Sequence, residues 1–338
     1  MKPLIVPIDL GGSPHGCAVM PPAGPPPSAA LVKAMVGHYT DERRQPDQPV
    51  QVAFFRGGLP DDALLDAAAP HPVRLSCNPA DLRPDHLNHL WDRGVRTLEI
   101  EALSLSSAVL RPLGRRLSGS TIQKLIAGIK DRGFTVGVHL WPGLPGSSHD
   151  QVMADLAWLL GDGRPRVDFL RVLPAVGLEG TDLAAWAQSG RWVPMTLGEA
   201  VTTVVAMLDA CDGVGVPVVR VGLQPRQDLG VHAVAGPAHP NLRALAEGRR
   251  FLRRMRAVVA LAPRTRRTVL RVHPADLSWA KGQANSNLRT LRAELQLAEL
   301  AVVPDATLPR GVVRPQASDG GDAGTTGGQV LPEDGAVG

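Results

Sequence analysis

Between Gly11 and Met20 the chain places four side chains with donor atoms in one glycine-rich stretch: Ser13, His15, Cys17 and Met20. Donor atoms this close in sequence suggest metal ligation, and their types decide how far that goes. Only Cys17 supplies a thiolate. A serine hydroxyl is a poor ligand near neutral pH, and a thioether brings no charge. A centre that needs several thiolates therefore finds one here. A Gly-rich turn with a single cysteine is also an ordinary connection after a strand.

Cys77 is the other thiol that could join this set. It follows an apolar run and is expected at the carboxyl end of a strand, on the same mouth as the Cys17 loop. A rebuilt Cys17/Cys77/His15 metal site is one reading, and two unrelated structural thiols is the other. The three cysteines are far apart, with no Cys-x2-Cys pair and no disulfide framework. Cys211, at the end of an apolar helix, reads as a packing residue.

Gly57-Gly58 could bring backbone N–H groups close to a carboxylate or phosphate, or simply form a turn. Pro142-Gly143-Leu144-Pro145-Gly146 follows another apolar run. His139 and Trp141 stand just before it, and His139 is read as a hydrogen-bonded core histidine rather than a ligand. Arg249, Arg253 and Arg256 fall on one helix face, with Arg250 and Arg254 adjacent. A phosphate backbone would bind such a face. A solvated helix face is the competing reading, and the lack of interleaved aromatics favours it.

The elements that must position these groups alternate. Apolar runs at 4–8, 50–55, 73–76, 97–101, 135–140, 169–173 and 216–221 read as strands of a parallel sheet covered on both faces. Helical stretches lie between them at 29–39, 61–69, 84–93, 120–132, 150–160 and 197–212. Ser118 and Thr196 are expected N-caps, and Gly94, Gly133 and Gly161 expected stops. The repeated strand–helix unit predicts a (β/α) barrel or an open, curved parallel sheet. Beyond about Pro225 the rhythm changes to a Gly/Pro/His-rich loop, a basic helix at 241–261, a strand-like run at 269–273 and a helix near 287–300. This predicts a domain at 1–225, a small α/β extension at 226–315 and a disordered tail at 316–338.

The 338 residues are enough for a full core, and the net charge of +4 is modest. No apolar run is long enough to span a bilayer, and Met1-Lys2-Pro3 leads straight into a strand without a signal-peptide pattern. A cytoplasmic protein with no membrane partner is expected.

A series of ordered motifs carries a family resemblance over residues 3–312. Val52-Ala53-Phe54-Phe55-Arg56-Gly57-Gly58-Leu59-Pro60 follows the second strand. Val136-Gly137-Val138-His139-Leu140-Trp141-Pro142-Gly143 covers the fifth strand and its turn, and Asp168-Phe169-Leu170-Arg171-Val172-Leu173-Pro174 the sixth. Leu178-Glu179-Gly180-Thr181-Asp182-Leu183, Val219-Arg220-Val221-Gly222-Leu223-Gln224-Pro225 and Val234-Ala235-Gly236-Pro237-Ala238-His239-Pro240 follow in order. Together they resemble radical SAM proteins, the bacterial relatives of the Elongator catalytic subunit that lack an acetyltransferase domain and are related to oxygen-independent coproporphyrinogen oxidase. The resemblance implies an α/β fold, a partial (β/α)6-type TIM barrel, with S-adenosylmethionine and a [4Fe–4S] cluster as cofactors. It places cofactor contacts at Gly57, Gly58, Glu99, Pro142 and Gly143, and a cluster ligand at Cys17.

The departures gather where that chemistry would be. The family's C-x3-C-x2-C loop reads Ser13-x3-Cys17-x2-Met20, so Cys17 stands as a vestigial position. Val19 replaces an aromatic, and the family's Glu-Leu-Gly-Val-Gln-Ser strand reads Glu99-Ile100-Glu101-Ala102-Leu103-Ser104. Scaffold motifs are kept while cofactor motifs decay, the pattern of a pseudoenzyme. We expect no competent cluster and a catalytically degenerate protein that binds a ligand or partner through the old barrel mouth. An active enzyme with a rebuilt cluster, modifying tRNA or a small metabolite, is the alternative. The partners considered are an intact radical SAM paralogue and tRNA held by the basic helix Arg249–Arg256.

Overall fold

A computed structural model describes residues 2–11, 19, 25–56, 58–161, 166–223, 231–261 and 267–316. Seven of its strands form one sheet: β1 (Leu4–Asp9), β2 (Val50–Phe55), β3 (Val73–Cys77), β4 (Val95–Leu103), β5 (Thr135–Leu140), β6 (Phe169–Val172) and β8 (Val218–Val221). They lie in the order β1-β2-β3-β4-β5-β6-β8, and every pairing is parallel. The sheet curls into a partial TIM barrel with helices on its outer side. A short antiparallel pair, β7 (Gly177–Leu178) with β9 (Ala233–Ala235), stands apart from it.

Side chains alternate across a strand, so each strand offers one set of residues to the helices and the other to the barrel interior. The outward set is apolar: Val6 and Ile8 on β1, Val52 and Phe54 on β2, Leu98 and Ile100 on β4, Val136 and Val138 on β5. These pack with Ile122, Ile126 and Ile129 of the helix Gly119–Asp131 and with Leu156 and Leu159 of the helix His149–Leu160. Both expected caps form. Ser118 accepts from the Thr121 amide, and Thr196 forms a reciprocal capping box with Glu199. Helix Gly119–Asp131 stops at Gly133, which takes the left-handed conformation at φ +84°.

The chain divides into two compact units, Met1–Glu247 and Gly248–Gly338. In the second, β10 (Arg267–Val272) is the central strand, parallel to β11 (Glu299–Pro304) and antiparallel to β12 (Val313–Pro315). Phe251, Met255, Leu270, Val272 and Leu291 fill its core. The fully buried Asp276 accepts from the Arg310 side chain and from the Gly311 amide at 2.7 Å. The helix expected at 287–300 is shorter. It ends at Leu295, Gln296 turns left-handed at φ +52°, and residues 299 and 300 belong to β11. The tail at 317–338 lies outside the described residues. Among the described residues no helix is long and apolar enough to cross a membrane.

Candidate functional site

The inward set of side chains holds an ionic cluster. Register pairs Arg74 on β3 with Thr97 on β4, Glu99 with Gly137 on β5, His139 with Arg171 on β6, and Arg171 with Arg220 on β8. Paired residues face the same side, so Arg74, Glu99, His139, Arg171 and Arg220 all project inward. Glu99 is their centre and is only 2% exposed. Arg171 grips its carboxylate with two parallel bonds, Nε to Oε2 at 2.6 Å and Nη2 to Oε1 at 3.1 Å. His139 Nε2 donates to Oε2 at 2.6 Å, and Arg74 Nε donates to Oε1.

Burial alone would raise the Glu99 pKa, because removing a carboxylate from water disfavours its charged form. The His139 hydrogen bond and the charges of His139, Arg171 and Arg74 outweigh that penalty and hold the carboxyl well below the usual glutamate range. Glu99 is therefore ionised throughout the physiological range. Its two oxygens accept four bonds from the protein, so it has little capacity left for an outside ligand.

The Arg74 guanidinium carbon lies over the Phe169 ring, 4.7 Å from its centroid. That ring sits where a side chain on Gly137 would be: a Cβ there would meet the ring at 2.2 Å. Phe169 and Glu99 thus hold Arg74, and Gly137 leaves the room that the ring needs. One of the Arg74 donors, Nη2, is buried with no hydrogen-bond partner among the described residues.

Beside the cluster opens a cleft of about 480 Å³, along β8 and the chain at 240–243. Four of its described lining residues are arginines, Arg74, Arg171, Arg220 and Arg243, and none of the described lining residues is acidic. Arg220 Nε donates to the Gly222 carbonyl at 3.3 Å. Arg243 donates to the Val218 carbonyl and has Glu247 at 3.7 Å. What this arrangement can do is bind negative charge.

The residues singled out in the sequence fall in several places. Ser13, His15, Cys17, Met20 and Gly57 lie outside the described residues. Val19 is buried in the apolar core. Asp9 and Arg56, at the ends of β1 and β2, form an ion pair, with Arg56 Nε 3.1 Å from Asp9 Oδ1. Gly58 follows that pair as a partly buried turn residue. Pro142 and Gly143 leave β5 and are occupied internally. The Pro142 carbonyl accepts from the Ala175 amide at 2.9 Å, and the Gly143 carbonyl accepts from Trp192 Nε1 at 3.0 Å. A Cβ on Gly143 would lie 2.4 Å from the Met195 sulfur, so packing as well as its φ of +86° requires glycine.

Cys77 ends β3 as expected, but alternation sends its side chain with Val73 and Leu75 into the core against the helices. Cys77 thus stands at the strand end where it was expected, with its side chain turned into the core, while Cys17 and His15 lie outside the described residues. Burial pushes its thiol well up, and the charges of Glu101, Asp81 and Glu99 push it further, so the thiolate that a metal requires is disfavoured. Cys211 is likewise buried. No group of three or more His, Cys, Asp or Glu side chains among the described residues could hold a metal ion. His139 is the bonded core histidine that was expected. On the helix Leu242–Leu261, Arg249 and Arg253 are exposed, Arg250 is buried, and Arg256 makes a two-bond ion pair with Glu294 at 2.9 Å.

Arg74, Arg171, Arg220 and Arg243 were not singled out. The signal was present in the strands, which look continuously apolar only if their odd members are ignored. Val-Arg-Leu-Ser-Cys, Thr-Leu-Glu-Ile-Glu and Val-Gly-Val-His-Leu carry polar or charged residues, or glycine, at alternate positions, and Phe-Leu-Arg-Val and Val-Val-Arg-Val each carry one arginine. Five neighbouring strands with that feature place charge on one face.

Comparison with known proteins supplies context for this geometry. Residues 167–254 match the family model of the radical SAM C-terminal domain. The tRNA uridine(34) acetyltransferase of Dehalococcoides mccartyi is 25% identical over 185 residues, which cover 53% of this chain and 39% of that protein. Human Elongator complex protein 3 is 28% identical over 178 residues, 50% of this chain and 31% of that protein. The chain thus spans well under half the length of these relatives. Among solved structures it is similar to the archaeal Methanocaldococcus infernus Elp3 with its N-terminus deleted. The TM-score is 0.55 and the identity 17%, over 78% of this chain and 65% of that one. At that identity the likeness concerns the fold.

Proposed function

We propose that this chain, a member of the radical SAM superfamily with Elongator-like relatives, is a catalytically degenerate scaffold that binds a ligand on its inner face. The observation that carries the reading is the buried charge cluster around Glu99. Such clusters are weak stability devices, since well-packed apolar residues of the same volume serve as well or better. A cluster of this kind at the bottom of a cleft is instead suited to fix the position of charged groups that meet a ligand.

The donor chemistry supports the same reading. In this superfamily a [4Fe–4S] cluster delivers the electron that cleaves S-adenosylmethionine, and three thiolates hold it. Here the loop offers one thiolate, a hydroxyl and a thioether. Cys77, the other thiol considered for a rebuilt set, is buried on the helix side, where burial pushes its thiol well up. The group does not fit these donors, and no step is assigned to it.

Anaerobic purification followed by iron and sulfide reconstitution tests this directly. We expect no stoichiometric cluster by absorbance or EPR. About four irons per chain, with an EPR signal perturbed by S-adenosylmethionine, would overturn the reading.

A second reading concerns RNA. The curated relatives include tRNA uridine(34) acetyltransferases, and Arg249 and Arg253 stand exposed one turn apart on the helix Leu242–Leu261. If this face contacts phosphates, reversing both to Glu should weaken tRNA binding and reduce its salt slope by about two. Binding absent at low salt, or unchanged by the reversal, removes RNA from this face.

A further inference from the structure

We infer that a groove at the amino end of the barrel binds a free apolar α-amino acid as its zwitterion. This goes beyond the reading of the inner face and does not depend on it.

The groove holds about 170 Å³ between the C-terminal ends of two helices, Pro84–Asp92 and Gly119–Asp131. Asp92 and Phe134 line it, and β4 and β5 begin just beyond them, at Val95 and Thr135. It therefore lies at the end of the strands opposite to the barrel mouth.

Its floor is apolar and already ordered. Leu87 and Phe134 are buried, and Trp91 meets the Phe134 ring edge-on, with centroids 5.0 Å apart. Arg96 lies over the Trp91 ring, 4.2 Å from its centroid, and donates to the Trp91 carbonyl. A ligand does not have to fix these rings, which removes part of the entropy cost of binding.

The rim carries opposite charges that do not meet. Asn88, Asp92 and Arg132 are exposed and line the same groove. Arg132 is held by its own helix, with Nη1 donating to the Gly128 carbonyl at 2.9 Å and Nε to Asn88 Oδ1 at 3.4 Å. Its Nη2 donates to no group among the described residues. Asp92 has no hydrogen bond or ion pair among them either, with Arg132 or any other group. The argument uses the separation of one acid from one base and needs no net charge.

Asp92 is also placed against local stability. It is the last residue of its helix, where a carboxylate meets the negative end of the helix dipole. Residues that break a local rule without a compensating contact are expected at functional sites. An ammonium group supplies the partner that Asp92 lacks.

Together these parts select one class of ligand. Asp92 receives the ammonium and Arg132 the carboxylate, both in charge-assisted bonds, while an apolar side chain covers the floor. A simple amine or metal ion would face the charge of Arg132, and a simple anion would face that of Asp92.

Calorimetric titration of the full chain with L-leucine tests this, beside two probes that each lack one charged end, L-leucinamide and 4-methylpentanoate. L-Leucine is expected to bind with a Kd on the order of 1 mM or tighter, and each one-ended probe about tenfold more weakly. Asp92→Asn should weaken L-leucine about tenfold or more, and yet raise the melting temperature by about 1–3 °C because the helix end is relieved. Arg132→Gln should weaken L-leucine and leave L-leucinamide unchanged. Absence of L-leucine binding at ten times the expected Kd would overturn the proposal, as would undiminished affinity in Asp92→Asn. L-Leucinamide binding as tightly as L-leucine would overturn it too and reassign the groove to a cation. A lower melting temperature in Asp92→Asn would make the carboxylate a structural group and remove the argument from its position. All of these outcomes leave the inner face and the iron reconstitution untouched.

Discussion

Glu99→Ala is expected to destabilise the first unit by about 3–5 kcal/mol, the usual cost of leaving buried charges without their partner. Arg74 and Arg171 would keep their positions on the inner face and lose the carboxylate that both of them hold. Chemical denaturation of wild type and variant measures the difference, and a loss within experimental error would mean that water already screens the cluster. The same group predicts a pH dependence. Its carboxyl titrates below the usual range in the folded chain and near about 4.3 in the unfolded chain. The stabilisation is therefore complete above the unfolded value and is lost as the pH falls from there toward the folded one. Wild-type stability should drop in that acid window, and Glu99→Gln should flatten the drop. Parallel acid profiles for the two proteins would assign the acid sensitivity to other carboxylates.

Two glycines of one helix should respond in opposite directions to the same change. Gly119 opens the helix Gly119–Asp131, and a Cβ there would lie 1.6 Å from the Leu105 carbonyl oxygen. That carbonyl cannot easily move away. The Leu105 amide donates to the buried Asp155 carboxylate at 2.9 Å, and Ser104 donates to the same oxygen at 2.6 Å. Gly119→Ala is expected to cost about 3 kcal/mol, the upper part of the range for overpacking, because backbone rather than a side chain must yield. In a unit of this size that lowers the melting temperature by about 6–12 °C. Gly128 sits mid-helix, where a Cβ would meet only the flexible end of Arg132 at 3.5 Å. Gly128→Ala should raise stability by about 0.5–1 kcal/mol through helix propensity alone. Thermal melts of the two variants check the sign as well as the size. Equal effects, or the reverse order, would mean that the helix start is not packed against residue 105.

Much of the barrel was legible because its signals are local. Val/Ile/Leu runs located all seven strands of the sheet, and caps such as Ser118 and Thr196 marked helix starts. The C-terminal sheet was less legible. The apolar residues around Leu295–Leu300 suit a helix as well as a strand, and only the left-handed turn at Gln296 separates the two. The site was the least legible part. Glu99 was singled out through resemblance as a cofactor contact, and its bonds to Arg74 and Arg171 had no signal in the sequence. An arginine inside an apolar run gives no sign of its partner when that partner lies on another strand. Arg243, which comes to the cleft from the helix Leu242–Leu261, had no marker in sequence at all.

The bonds to Glu99 come from residues 25, 40 and 72 positions away along the chain. The Arg74 bond needs β3 beside β4, the His139 bond needs β5 beside β4, and the Arg171 bond needs β6 in place as well, so the cluster is complete only when all four strands lie side by side. It also discriminates between alignments. Slipping β4 by one residue against its neighbours would turn Glu99 toward the helices and bring Leu98 or Ile100 among the arginines. Uniform apolar strands slide past one another at little cost, because every offset buries similar surface. Four charged groups that meet in only one alignment remove that degeneracy, and the barrel acquires a proofreading device at its centre.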